Sequence, residues 1–477
     1  MLARAAPGTA GVRAGVEDGK DGDRRENPLL RLADYAAAAR EPPLAPDTEH
    51  HARRAVIDWF AALFAGCGLP PATFLAERLA DGRGRGHAVS YVDGRSSNLR
   101  HAALLNAMTS HTAEYDDIFR DGGYHPGAPT ISAALAAAQD LDCGFHDFLK
   151  AVVIAYEVGC RISLAVQPSH YRFWHATATI GAFGAATAVS SVLQLDATAI
   201  AHALATAATT AGGLQQSFRG VSMAKPMHVG HAADAGCLAA LAASAGVTGA
   251  LEALDGPVGF AAATSEDTGK WDKALAGLGS TPPLIGQITF KSYGCCAHSF
   301  AALDAVADLR REAAFGAADV DWVHVRGYAA TKDICDRPVA NTVEDARFSL
   351  QYCLAALLLF GGVRAAAFAP ERLNDPAVGQ LMRAITVEVE PELAARYPSQ
   401  RGAWVTLGLK DGRVLERRQP TRRGDPDAPL RDDELSDKFR ELAAPAIGAR
   451  QAEALLSALW NAEELPKAIP LCPSPGS

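Results

Sequence analysis

The sequence has no run of about 18 apolar residues free of polar interruption, so no transmembrane helix is expected. It has no surplus of positive charge: 45 Lys and Arg stand against 54 Asp and Glu, a formal net charge of −9. That balance argues against a nucleic-acid binder or a polybasic membrane protein. No Gly-rich phosphate loop, dinucleotide fingerprint or nucleophilic-serine elbow is present, and no chemistry is expected from those devices. The nine cysteines are odd in number and show no zinc spacing. Reduced thiols and a cytoplasmic location are therefore expected. No repeat of fixed period stands out, which disfavours a solenoid.

What remains is a chain of 477 residues with 49% hydrophobic and 21% charged residues, enough for two or three globular domains. Residues 1–27 are rich in Gly, Arg and Asp and lack an apolar segment, so a disordered tail is expected there. Residues 28–280 carry helical periodicity almost throughout. Helices are expected over 28–39, 47–66 (capped by Asp47 or Thr48), 96–110, 132–139 (capped by Thr130), 146–166, 176–193, 197–210 and 230–245. Their interiors are dense in Ala and Gly, which lets helix axes approach closely.

The character changes over 281–420. Runs of β-branched residues at 285–290, 320–328, 385–389, 404–409 and 414–417 alternate with helical stretches at 296–313, 343–360 and 376–384. Asp411-Gly412 is a hairpin signal. Two further helices are expected within 421–465, returning to the helical domain, and a tail over 466–477. The fold class is mostly α with an α+β insertion: a large all-helical domain plus a smaller domain with an antiparallel sheet. A cleft between two such domains is the expected place for a small molecule.

Five stretches carry residues fit for chemistry. Residues 111–130 bring Glu114, Asp116, Asp117, Asp121, His111 and His125 between helices that look buried, where a carboxylate must be paired or perturbed. His175 stands near a helix N-terminus, where the dipole favours anions and lowers a histidine's pKa. Arg219, Lys225 and His228 form the third group, with Lys225 placed before a helix. His228 and His231 have the spacing of a metal pair, but no third ligand is recognisable nearby and no metal site is expected. Lys291, Cys295, Cys296 and His298 lie at a strand-to-helix junction, with the cysteines read as small buried residues. The fifth stretch, 336–352, begins like a capping box at Thr342 and Asp345 and is read as largely structural. These groups suit cofactor-free acid–base chemistry on a small polycarboxylate. Cations hold the carboxylates, and a base removes the proton next to one of them.

Motifs in this order resemble the MmgE/PrpD family over residues 28–465: His111-x-x-Glu-Tyr-Asp-Asp, His125-Pro126, Trp174-His175-x-Thr177, Lys225-Pro-x-His228, Lys291-x-Tyr-x-Cys and Thr342-x-Glu-x-x-Arg-Phe-Ser-Leu-x-Tyr352. The resemblance implies a helical domain with a smaller lid domain, a homodimer, and a cofactor-free site between the domains. It implies a lyase like 2-methylcitrate dehydratase, acting on a small di- or tricarboxylate. A cis-aconitate-type decarboxylase and an epimerase or isomerase of an iminodisuccinate-like acid are the alternatives; a non-catalytic carboxylate-binding protein is the reading outside enzymes. The family's site residues correspond to His125, His175, Lys225 and Lys291, with Asp117 or His125 handling the proton. Glu114, Arg219, His228, Cys296 and His298 are expected to bind substrate. The decarboxylase branch has Asp-x-Asp-Asp-Thr where this chain begins with Glu114 and ends with Ile118. Cys296 replaces a histidine of that branch, and Ile334 stands in place of its lid tyrosine.

Overall fold

The computed structural model describes residues 26–80, 83–218, 222–461 and 464. The expected tails, up to residue 25 and over 466–477, and the candidate Arg219 lie outside the described residues. Asn27, placed at the end of the expected tail, instead caps the first helix by accepting from the Leu30 amide at 3.0 Å.

The chain forms two compact units. The larger contains residues up to Thr112, Asp116–Gln287 and the segment from Leu435 onward; the smaller contains Ala113–Tyr115 and Ile288–Glu434. The larger unit is built from α1 (Pro28–Ala38), α2 (Pro46–Gly66), the short hairpin β1 (Arg83–Ser90) and β2 (Arg95–Ser97), α3 (Leu99–Thr112), α4 (Gly127–Asp140), α5 (Phe145–Val166), α6 (Ala176–Val192), α7 (Ala197–Thr210) and α8 (Ala224–Ser244). Every residue of α6 is buried. It is surrounded by α4, α5, α7 and α8, and its Ala- and Gly-rich sequence makes that possible. At Gly236 of α8, an added Cβ would lie 2.5 Å from the Ala182 carbonyl oxygen. Overpacking of that kind costs about 1–3 kcal/mol. No helix among the described residues is long and apolar enough to cross a membrane.

Three of the helix starts that differ from expectation have a clear local reason. α2 begins at Pro46 without a side-chain cap, because proline tolerates the first helical position and leaves Asp47 in the first turn, where its charge is favourable. α4 begins at Gly127, so Thr130 lies inside it and does not cap it. α8 begins at Ala224, whose amide is held by Ser222 Oγ at 3.0 Å. Pro226 does not stop α8, since a missing N–H in the first turn removes no helical bond. Lys225 and His228 are therefore residues of α8 itself.

The smaller unit contains α9 (Phe300–Ala313), β3 (Val320–Gly327), α10 (Ala329–Cys335), α11 (Val343–Phe348), α12 (Leu350–Phe360), α13 (Pro376–Arg383), β4 (Ile385–Val389), β5 (Ala403–Leu409) and β6 (Val414–Gln419). Its sheet runs β4-β3-β5-β6. β3 pairs antiparallel with β5, and β5 with β6 across the Asp411-Gly412 turn, where Gly412 has φ 89°. β3 and β4 are parallel, in register from Val323↔Ile385 to Gly327↔Val389. The sheet is thus mixed, and the crossover a parallel pair requires is filled by α10 to α13. The expected 285–290 strand shortens to Ile288–Thr289 after a 3-10 turn. The helix expected over 343–360 breaks at Ser349, whose Oγ accepts from the Tyr352 amide and donates to the Arg337 carbonyl at 2.5 Å. α14 (Asp432–Ile447) and α15 (Ala449–Asn461) complete the chain. In the larger unit Lys438 of α14 and Asp58 of α2 form a fully buried ion pair at 2.6 Å.

Candidate active site

The polar centre of the larger unit is made by the end of α3 and the segment that follows it. His111 closes α3, and its Nδ1 lies 2.6 Å from Asp116 Oδ2 with both groups buried. His125 Nδ1 lies 3.2 Å from the same oxygen. The backbone amide of His125 donates to Thr177 Oγ1, in the first turn of α6, at 3.2 Å. His175 occupies the N-cap position of that helix, and its amide donates to the Gly213 carbonyl at 2.9 Å. Ring centroids are 5.1 Å apart for His111 and His125, 5.5 Å for His111 and His175, and 5.6 Å for His175 and His228. Four imidazoles from four parts of the sequence therefore adjoin one another.

Gly213 permits this approach. It has φ 138°, and a Cβ there would meet the Ala178 side chain at 2.5 Å and the His228 ring at 3.2 Å. Neither that backbone conformation nor that space admits a larger residue without rearrangement.

The electrostatics follow from burial. His111 is pushed down to about 4, first by desolvation, against the pull of Asp116 and with the charges of Lys225 and His125 adding to the fall. His175 lies well below its ordinary value, again by burial first, then by His111, Lys225, His228 and His125. His228 is lowered by burial and by His231. At neutral pH these three imidazoles are uncharged, each able to offer one N–H and one lone pair. Among the described residues, His111 Nε2, His125 Nδ1 and His228 Nδ1 are buried nitrogens without a hydrogen-bond partner, so His125 meets Asp116 at ion-pair distance and not through a hydrogen bond.

Asp117 has a different setting from its neighbour. Its Oδ1 accepts from the Gly127 amide at 2.9 Å, the first residue of α4, and its Oδ2 accepts from Tyr156 Oη at 2.8 Å. Burial pushes its carboxyl up to about 8, and the Asp58 charge adds to the rise. It joins the chain after His125 to α5, while Asp116 turns to the imidazoles. His231 stands apart, its Nε2 near the Thr210 carbonyl at 3.3 Å. Among the described residues, the group whose donor atoms lie close enough to share a cation is His111, Asp116 and His125, not His228 and His231.

In the smaller unit Lys291 Nζ lies 3.2 Å from Glu114 Oε2, with both side chains buried. Glu114 has φ 60°, a conformation that costs a non-glycine residue about 1–3 kcal/mol. His298 Nδ1 lies 2.6 Å from Tyr328 Oη. Burial, followed by the charges of Arg401, Arg422 and Lys291, holds His298 well below its ordinary value. Arg422 fixes the turn that carries it, donating to the Ala297 carbonyl at 3.1 Å while binding Asp425 through two bonds of 2.7 and 3.0 Å.

The structure thus brings His125, His175, His228 and Lys225 together in the larger unit, and Glu114, Lys291, Cys296 and His298 in the smaller. His111 and Asp116 are not among the residues the sequence assigns to catalysis or binding. Their signal is the spacing of five across a helix end, which returns an aspartate to the last turn's histidine.

One unit gathers imidazoles, of which His111 and His175 are buried and uncharged, beside the Asp116 carboxylate, and the other holds a buried lysine–glutamate pair; these are groups able to accept and donate protons. The chain belongs to the MmgE/PrpD family: the MmgE/PrpD N-terminal domain matches residues 30–271 and the MmgE/PrpD C-terminal domain residues 293–463. It is 27% identical to cis-aconitate decarboxylase of Homo sapiens over 377 residues, covering 76% of this chain and 77% of that protein. It is 26% identical to the cis-aconitate decarboxylase-like protein oryM of Aspergillus oryzae over 482 residues, covering 92% and 95%. It is 30% identical to 2-methylcitrate dehydratase of Cupriavidus necator over 195 residues, covering 38% and 39%.

Proposed function

We propose that the protein is a cofactor-independent lyase of the 2-methylcitrate dehydratase type, removing a proton next to a carboxylate of a small di- or tricarboxylate. The observation that carries this reading is the single oxygen of Asp116 that is bonded to His111 Nδ1 at 2.6 Å and lies 3.2 Å from His125 Nδ1, within a group of adjoining imidazoles. His125 takes the α-proton, and the adjacent Asp116 carboxylate steadies the imidazolium that forms. Asp117 is the weaker candidate for that role, because both its oxygens are engaged and burial favours its protonated form. Lys225 binds a substrate carboxylate and absorbs charge developing on the enediolate, and the uncharged His175 donates to the oxyanion or to the departing hydroxyl. His228, beside His175, contributes a further donor. Lys291, held by Glu114, is a second carboxylate-binding cation, with Cys296 and His298 as its neighbours in the smaller unit.

Decarboxylation of a cis-aconitate-like acid is the second reading, favoured by the names of the relatives that align over three quarters or more of this chain. Incubation with 2-methylcitrate, citrate, cis-aconitate and iminodisuccinate in deuterium oxide, followed by NMR, separates the reactions. Loss of water supports the dehydratase, loss of CO₂ the decarboxylase, and α-deuterium exchange alone an epimerase. A rise in melting temperature without turnover identifies a carboxylate-binding protein and refutes the lyase.

A further inference from the structure

The larger unit holds His111, Asp116 and His125 in the arrangement a bound cation requires. A ring nitrogen of each histidine and a carboxylate oxygen of Asp116 lie within 4.8 Å of one another. Both imidazoles keep a buried nitrogen with no hydrogen-bond partner among the described residues, Nε2 of His111 and Nδ1 of His125. Burying such an atom unsatisfied is unfavourable, and a ligand that engages it recovers the loss. Bonds of about 2.0–2.2 Å place tetrahedral ligand atoms about 3.4 Å apart. Asp116 Oδ2 and His125 Nδ1 are already 3.2 Å apart. A cation bridging them sits to one side of the line joining them, along which no hydrogen bond runs. His111 completes the set with one ring nitrogen, since either can serve a metal while the other carries the proton. The His111 and Asp116 side chains are 0% and 1% exposed, and the His125 side chain 16%, so the group opens to an entering ion on the His125 side.

We propose that His111, Asp116 and His125 form an inhibitory site for a divalent cation of the zinc class. Two imidazoles and one carboxylate suit Zn²⁺, whereas Mg²⁺ and Ca²⁺ favour sets of oxygens that these three side chains do not supply. One Zn²⁺ binds per chain through three protein ligands, and water fills the fourth position. With Nδ1 of His125 on the ion, the proton of that ring stands on Nε2. The imidazole then has no lone pair left to take a proton from substrate. The ion also draws Asp116 away from its place beside the imidazole. The Lys225 charge, which acts on His111, opposes the ion and keeps its hold reversible. Loss of turnover rests on the reading of His125 as the base; the binding of the cation does not.

Calorimetric titration of the metal-free full chain with zinc chloride, and the visible spectrum after adding Co²⁺ in its place, test the site apart from turnover. The expected result is one equivalent of Zn²⁺ per chain, with the d–d bands of four-coordinate Co²⁺ and no thiolate-to-metal charge transfer. Asp116→Asn and His125→Gln each weaken Zn²⁺ binding by at least ~100-fold, since loss of a metal ligand costs no less than loss of the groups behind it. His231→Gln leaves binding unchanged, because His231 stands apart near the Thr210 carbonyl. In wild type, turnover falls with the zinc-loaded fraction and returns when a chelator removes the ion. Absence of stoichiometric binding overturns the site, as does binding that survives Asp116→Asn and His125→Gln, is lost in His231→Gln, or brings a thiolate band. Each of these leaves the lyase reading intact. Zn²⁺ bound at these three residues with turnover unchanged overturns the inhibition and removes His125 from the role of base. If Asp116→Asn does not fold, His125→Gln and the wild-type spectrum still decide the outcome.

Discussion

Asp116 shares one oxygen between two imidazoles, whereas Asp117 gives its two oxygens to Gly127 and Tyr156. Under the proposed mechanism Asp116→Asn lowers kcat by about 100-fold or more, the usual scale of acid–base assistance. KM changes little, because the carboxylate acts through His125 and does not hold substrate; steady-state kinetics check the split. His175→Ala and Lys225→Ala are expected to abolish turnover while far-UV circular dichroism stays native. The pH dependence of stability separates the two aspartates further. Asp117 holds its proton up to about 8 in the folded protein, against 3.8 for an ordinary aspartate, so the native state binds the extra proton between those limits. Its contribution therefore falls as pH rises from about 4 to about 8. His111 moves the other way: lowered to about 4 from 6.5, it contributes stability above pH 6.5 that is lost as pH falls towards 4. Melting curves from pH 5 to 8 should show Asp117→Asn gaining on wild type as pH rises; a constant difference would contradict the buried, protonated carboxyl.

The N-terminus of α6 shows how elements hold these residues. His175 is placed by its amide bond to Gly213, and Gly213 is the residue that lets this loop pass Ala178 and the His228 ring. Gly213→Ala should destabilise the protein by about 1–3 kcal/mol, from the unfavourable φ and the close contact. It should also lower activity by displacing His175; chemical denaturation and kinetics measure the two effects. Elements legible in the sequence were those with strong local signals. α7 was readable from end to end because Asp196 caps it by accepting from the Ala199 amide, and the β5–β6 hairpin because of Asp411-Gly412. The break at Ser349 was hidden inside an apolar run: Ser349 can be an interior helix residue or a cap, and the nearby Arg337 carbonyl favours the cap. The direction of β4 was also hidden, since alternation specifies a strand's faces but not its orientation to a neighbour.

At the scale of the whole molecule, the larger unit is assembled from residues up to Thr112, a long central stretch and the C-terminal helices, and the Lys438–Asp58 pair joins α14 to α2. Lys438→Met leaves Asp58 buried without its cation and should cost about 3–5 kcal/mol, whereas the double change with Asp58→Leu should recover most of that loss. Urea titrations of the three variants give the cycle. Removing the Asp58 charge should also lower the Asp117 pKa, because that charge helps raise it. Exhaustive chelation is expected to leave turnover unchanged, since the proposed chemistry uses only side chains; loss of activity restored by a divalent metal would assign His111, Asp116 and His125 a ligand role instead.

The sequence by itself determined that this chain would be mostly helical with a late α+β segment, and which residue types its chemistry would use. Periodicity, caps and turn residues act over a few positions and leave their mark in local order. Which of two adjacent aspartates faces the histidines, and which histidines gather beside it, was decided only by the tertiary structure. Those choices depend on backbone direction and on groups brought from distant parts of the chain, where burial can shift a carboxyl or imidazole by several pKa units and no neighbour in sequence records it.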